Sequence, residues 1–209
     1  DVLGWFQSPG RLSVKIDGAP AIVWGRCPVS GMQFVGTKSV FNKKDPKICY
    51  SRSDIEHYYG HIPVLVEILD MCLECLPDTP YIYQGDWIGF GGERDYTPNT
   101  LTYLFPDYTG EDVIIAPHTR YELGDDGLRD AYGLPINQGE LKSTELVRFV
   151  HPKCRMYTGY YNQLDGKDNR FELGNRVEFA RQIAASVEFV DKKTAAKLKK
   201  AFNLSLIHI

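Results

Sequence analysis

Between Arg11 and Gly25 the chain alternates in a way that few folds accommodate. Leu12, Val14 and Ile16 take one set of positions, and Ser13, Lys15 and Asp17 take the other. A period of two predicts a strand with one buried and one polar face. Lys15 and Asp17 then point to the same side, away from the core, and Gly18 ends the run. A lysine and a carboxylate aimed into one space are the makings of a reactive site. Lysine is a nucleophile only once its ammonium has lost a proton, so its ordinary pKa of about 10.4 is an obstacle that surrounding groups must overcome.

Further strands are predicted at Ala21–Gly25 and Met32–Gly36, across a turn at Pro28-Val29-Ser30-Gly31, making a meander behind Lys15. Ser53-Asp54 reads as the cap of a short helix. Ile62–Leu76 is apolar at three-four spacing, with Pro77 beyond it, and predicts an amphipathic helix. Tyr81–Ile88, Leu101–Phe105 and Asp112–Ala116 predict strands, the last continuing through His118-Thr119-Arg120-Tyr121. Gly89–Asp95 reads as a glycine-rich loop. Between Gly124 and Asn169 the pattern is weak, and Leu141–Val150 reads equally as a strand or a helix start. Asn175–Phe202 predicts a helix with a basic end, which suits either a solvated helix terminus or a nucleic-acid contact. His118 reads as a structural histidine or as a phosphate contact.

The 209 residues suffice for one ordinary domain, and 43% of them are apolar. No apolar run approaches the ~20 residues of a membrane span. A net charge of −3 means that any nucleic-acid surface is a local patch. The five cysteines (Cys27, Cys49, Cys72, Cys75 and Cys154) are irregularly spaced, which argues for a reducing compartment. Cys72 and Cys75 fall in the apolar stripe of the predicted helix and read as core rather than as metal ligands. The chain starts at Asp1 and ends in the abrupt apolar run Leu204–Ile209, which resembles translated adapter read-through. Both ends are expected to be truncations, and the tail to be non-native.

Lys15-x-Asp17-Gly18 resembles motif I of the covalent nucleotidyltransferases: DNA ligases, RNA ligases and mRNA capping enzymes. In that family the K-x-D-G lysine attacks the α-phosphorus of a nucleotide. Gly36-Thr37-Lys38-Ser39 lies where the family carries S-R-x-G, with Lys38 in place of the arginine. Tyr83-Gln84-Gly85-Asp86-Trp87 resembles motif III, with Asp86 where a glutamate is usual. Leu101–Phe105 lies where the aromatic motif IIIa falls, and Tyr103 and Phe105 share a face there. Motifs IV and V are not found. The runs Lys15–Gly25, Phe34–Lys43, Gln84–Asp86, Thr97–Thr100 and His118–Tyr121 are also similar to an uncharacterised family of tailed-bacteriophage proteins, over about residues 10–125.

These resemblances imply an α+β fold of the DNA-ligase type, ATP-grasp-like, with antiparallel sheets and flanking helices. Residues 1–125 are expected to form the N-terminal part of the adenylation domain, and 126–203 a continuation or helical insertion. Lys15 is the implied nucleophile and Asp17 its partner. Gly18, Lys38, Asp86, Tyr103 and Phe105 are implied in nucleotide binding. ATP and Mg²⁺ are the implied cofactors, and DNA or RNA ends the implied partners. The implied setting is the cytoplasm of an infected bacterium or the virion. Without motifs IV and V, the fragment itself is expected to label poorly. The other class of function is a non-catalytic phage structural or accessory protein that retains the fold.

Overall fold

In chain order the strands are β1 (Arg11–Ser13), β2 (Ala21–Arg26), β3 (Gln33–Gly36), β4 (Ile82–Phe90), β5 (Asp95–Tyr96), β6 (Tyr103–Leu104), β7 (Val113–Gly124), β8 (Gly127–Pro135), β9 (Val147–Phe149) and β10 (Arg155–Tyr157). The helices are α1 (Arg52–Tyr59), α2 (Pro63–Cys75) and α3 (Arg170–Ser186), with a 3₁₀ turn at Lys38–Phe41. The structure, a computed structural model, describes residues 11–13, 15–137, 139–151, 155–157, 170–187 and 191–197. The chain divides into two units, Val14–Lys153 and the pair of segments Asp1–Ser13 and Cys154–Ile209.

The larger unit is α+β and is built on a six-stranded sheet in the order β3-β2-β4-β7-β8, with β9 also on β7. All its pairings are antiparallel except that of β9 with β7. Strand β4 is central, and its run Ile82–Ile88 is buried throughout, as expected of a strand covered on both faces. On one face Ile22, Trp24, Tyr83, Trp87 and Ile115 pack with Ile55 of α1 and with Val66, Leu69 and Cys72 of α2. On the other, Val23 and Ile82 meet Val40 of the 3₁₀ turn and Leu128 of β8. Phe41 lies 4.4 Å from Tyr121, ring centre to ring centre, so the turn and β7 meet across this face. A third cluster of Ile88, Tyr96, Ile114 and Ala116 sits under the β5–β6 hairpin, with Ile16 packed against it.

Helix α1 is capped by Ser51, whose Oγ accepts from the Asp54 N–H at 3.2 Å. Asp54 returns the bond by accepting from the Ser51 hydroxyl at 2.9 Å, and it also accepts from the Tyr50 N–H at 3.0 Å. This reciprocal cap begins two residues before the expected one, because Asp54 acts from inside the first turn. Helix α2 starts on Pro63, where a missing N–H costs nothing, and buries Val66, Ile68, Leu69, Cys72 and Cys75. Cys72 and Cys75 are thus core residues, and burial drives the Cys72 thiol pKa up. Leu69 is fully buried, so Leu69→Ala is expected to cost about 2–5 kcal/mol in a denaturant titration.

Four sequence expectations change. The first strand ends at Ser13 and pairs with β10 in the smaller unit, so the meander comprises β2 and β3 alone. Lys15–Gly18 is irregular backbone rather than strand. The weak region after Gly124 holds β8, which forms a hairpin with β7, so residue 125 lies in the turn of that hairpin. The Asn175–Phe202 helix is interrupted: α3 ends at Ser186 and a short helical stretch follows at 192–197, capped by Asp191. The Leu204–Ile209 tail and Cys154 lie outside the described residues.

Candidate active site

The β2–β4 ladder sets Ala21 opposite Asp86. Backbone bonds from Ala19 N–H to the Trp87 carbonyl (3.1 Å) and from Trp87 N–H to the Pro20 carbonyl (2.9 Å) extend that contact towards Lys15. Gly18 passes so close to β4 that a Cβ there would run into the Trp87 carbonyl oxygen. Close approach therefore dictates glycine at this position. Gly18→Ala is expected to cost about 1–3 kcal/mol, measured as a fall in the unfolding midpoint.

This close approach delivers Lys15 to Asp86, a residue 71 positions away. The Lys15 Nζ donates to Asp17 Oδ1 at 2.8 Å and also to Asp86 Oδ2. Lys15 and Asp17 are about half exposed, with side-chain values of 53% and 49%, whereas the Asp86 side chain is 7% exposed. The expected pairing of Lys15 and Asp17 therefore holds without a strand, since Ile16 still points inward between them. Asp17 is fixed from three directions. Its Oδ2 accepts from Asn99 Nδ2 at 2.7 Å. Its N–H donates to the Tyr103 hydroxyl, and that hydroxyl donates to its carbonyl, both at 2.8 Å.

His118 approaches Asp86 from β7, with Nε2 3.4 Å from Oδ1. It does so because β7 carries a bulge. Gln84 pairs with Thr119 but Gly85 pairs with Pro117, leaving His118 as the extra residue. Bulges re-aim side chains in this way. The Nδ1 of His118 lies 2.7 Å from Thr119 Oγ1, and Nε2 also lies 3.4 Å from Gln84 Nε2. Gln84 is buried and accepts from the Tyr121 hydroxyl at 2.7 Å.

Charge follows from these contacts. Burial is the largest influence on Lys15 and works against its ammonium, but Asp17 and Asp86 together outweigh it and raise the pKa above the ordinary 10.5. Asp17 is lowered, first by its bond from Lys15 and then by Asn99. For Asp86 burial is again the largest influence and would raise the pKa, but His118 and Lys15 outweigh it and the net shift is downward. The Lys15 charge thus supports folding below its unfolded value and is lost as pH rises through its raised folded value. The carboxylates contribute above about 3.8 and lose their contribution as pH falls through their depressed values. Across neutral pH the cluster is fully ionised.

The other expected site residues are placed as follows. Lys38 is exposed at the start of the 3₁₀ turn, just beyond Gly36, which pairs with Val23. It emerges at the sheet end that carries Ala21 and Asp86, but no hydrogen bond or ion pair ties it to the cluster among the described residues. Tyr103 spends its hydroxyl on the Asp17 backbone. Phe105 meets Tyr96 edge-on at 5.6 Å, and the Arg148 guanidinium lies over its ring, also at 5.6 Å. Asn99, Gln84 and Tyr121 were not expected at the site.

Asp17 has both oxygens engaged, by Lys15 and Asn99, and Asp86 has Lys15 on one oxygen and His118 Nε2 3.4 Å from the other. No group of three His, Cys, Asp or Glu suited to an ion occurs among the described residues. No helix is long and apolar enough to cross a membrane among those residues.

A family profile described as a family of unknown function (DUF6267) matches residues 1–208. The chain belongs to that family. The match runs across both structural units and includes every residue of the lysine–carboxylate cluster. No curated protein and no solved structure matches the chain.

Proposed function

We propose that this protein is a ligase-like nucleotidyltransferase in which Lys15 forms a covalent lysyl-nucleotide, with ATP as donor and nucleic-acid ends as final acceptors. The observation that carries the reading is the half-exposed Lys15 ammonium held between Asp17 and the buried Asp86. A surface lysine seldom has two carboxylates converging on it, one of them inside a sheet. In the proposed step a proton leaves Nζ and the freed lone pair attacks the α-phosphorus. The bond from that phosphorus to the bridging oxygen of the β-phosphate breaks, and pyrophosphate leaves with the electron pair and with the second proton that Nζ sheds once it is bonded to phosphorus.

Lys38, at the same sheet end, is the proposed counter-charge for the phosphates. Tyr103, hooked to Asp17, is nearer the lysine than Phe105 in its bonding and is the better candidate for contact with the base. Since the carboxylate oxygens already have partners, Mg²⁺ is proposed to arrive with the triphosphate, as it commonly does. The test is incubation of the full-length gene product with α-labelled ATP and Mg²⁺, followed by denaturing electrophoresis. A labelled band that survives denaturation is expected, and its absence sinks the reading.

A second reading, a non-catalytic phage accessory protein that keeps the fold, is favoured by a specific observation. The same two carboxylates raise the Lys15 pKa, which suits a stable ion cluster better than a free amine. That reading predicts no covalent label under any condition.

A further inference from the structure

Transfer to Lys15 would change the charge inside the site. The cluster begins with one ammonium against two carboxylates. Once Nζ is bonded to phosphorus and has shed its second proton to the departing pyrophosphate, its positive charge is gone, and Asp86 is left as a buried carboxylate without its cation. Such a group is costly unless another cation meets it. Among the described residues, the one other ionisable contact of Asp86 is His118.

The surroundings of His118 suit both of its charge states. Nε2 stands 3.4 Å from the Gln84 amide nitrogen and 3.4 Å from Asp86 Oδ1. A lone pair on Nε2 accepts from the amide, and a proton on Nε2 donates to the carboxylate. The Tyr121 hydroxyl donates to Gln84 Oε1 and so turns the amide N–H₂ towards the ring. At the other nitrogen, Nδ1 keeps Thr119 Oγ1 in either state.

We infer that His118 is the positioning and proton-accepting residue of the site, receiving through Asp86 the proton that Lys15 must lose. The proton passes from Nζ to Asp86 Oδ2, and the carboxyl group turns to hand it to Nε2. Asp86 returns to its ionised form, His118 becomes an imidazolium, and the Nζ lone pair is free to attack. The net charge around Asp86 is the same before and after. This inference rests on the nucleotidyltransferase reading.

The test uses the full-length protein with sub-saturating α-labelled ATP, comparing wild type with His118→Gln and His118→Ala. Glutamine preserves hydrogen bonding to Asp86 and Gln84 but cannot hold the proton. Both variants are expected to label about 100-fold more slowly than wild type. Between pH ~8 and ~9.5 the wild-type rate should be level, because the proton only moves within the Lys15–Asp86–His118 set. In His118→Gln the rate should climb about tenfold per pH unit, because Lys15 must then lose its proton to solvent. Imidazole in the buffer should restore His118→Ala, and more basic imidazoles should restore it further. Labelling of His118→Gln within about threefold of wild type, with the same pH profile, overturns the relay and leaves Lys15 as nucleophile. A wild-type protein that never labels overturns both.

Discussion

Lys15→Ala is expected to abolish the covalent label altogether. The reason is stoichiometric, since Nζ is the atom that would carry the nucleotide. The fold should survive, because the side chain is half exposed and water can replace its contacts. The stability cost should stay within about 1–2 kcal/mol, chiefly from the Asp86 charge it leaves behind. Lys15→Arg is the sharper variant. It keeps the cation and both carboxylate partners, yet guanidinium has a pKa above about 12 and offers no free lone pair. It should fold as well as wild type and remain blank on a denaturing gel. A label in either variant would move the nucleophile elsewhere.

The second large effect is at Asp86. From sequence alone, a site carboxylate on a strand is expected to be partly solvent-facing, and its removal to cost about 1 kcal/mol or less. The structure buries it, with Lys15 on one oxygen and His118 on the other. Asp86→Ala therefore breaks two contacts in the interior and is expected to cost about 2–4 kcal/mol in denaturant unfolding. Asp86→Asn keeps the shape and an oxygen for Lys15, so it should be the milder of the two in stability. Both should lose labelling by about 100-fold or more, since neither can hold the charge that orients Lys15. An alanine variant as stable as wild type would show that Asp86 is not an interior ion partner.

Much of the site was legible because its parts have local signatures. Lys15 and Asp17 lie two apart, and Ile16 between them is apolar, so their shared direction needs no knowledge of the fold. Asp86 sits in a run whose apolar and aromatic residues announce a strand. His118 could be seen but not assigned, because its role depends on a bulge. Nothing in Ala116-Pro117-His118-Thr119 says that its partner strand will skip one residue. Asn99 and Tyr103 reach Asp17 from a hairpin more than 80 positions away, a distance no periodicity spans. The first strand failed for a related reason. Its alternation is real, but its partner is β10, near the other end of the chain, and the backbone leaves the strand before Lys15. Strand β8 escaped notice because its exposed face is interrupted by Gly133 and Pro135.

Pro117 has a consequence for how the site can be interrogated. On one edge of β7, pairing with β9 covers Val113–Ile115 and pairing with β8 begins at Thr119. The strand changes neighbours across Ala116-Pro117-His118, and the proline has no N–H to leave unmatched there. The His118 carbonyl is met by the Ile136 N–H at 3.3 Å, a backbone bond indifferent to the side chain. An exchange of the imidazole would thus remove the proposed proton acceptor without removing a rung of the ladder. At this one position the proposed chemistry can be put to the test with the backbone pairing left in place.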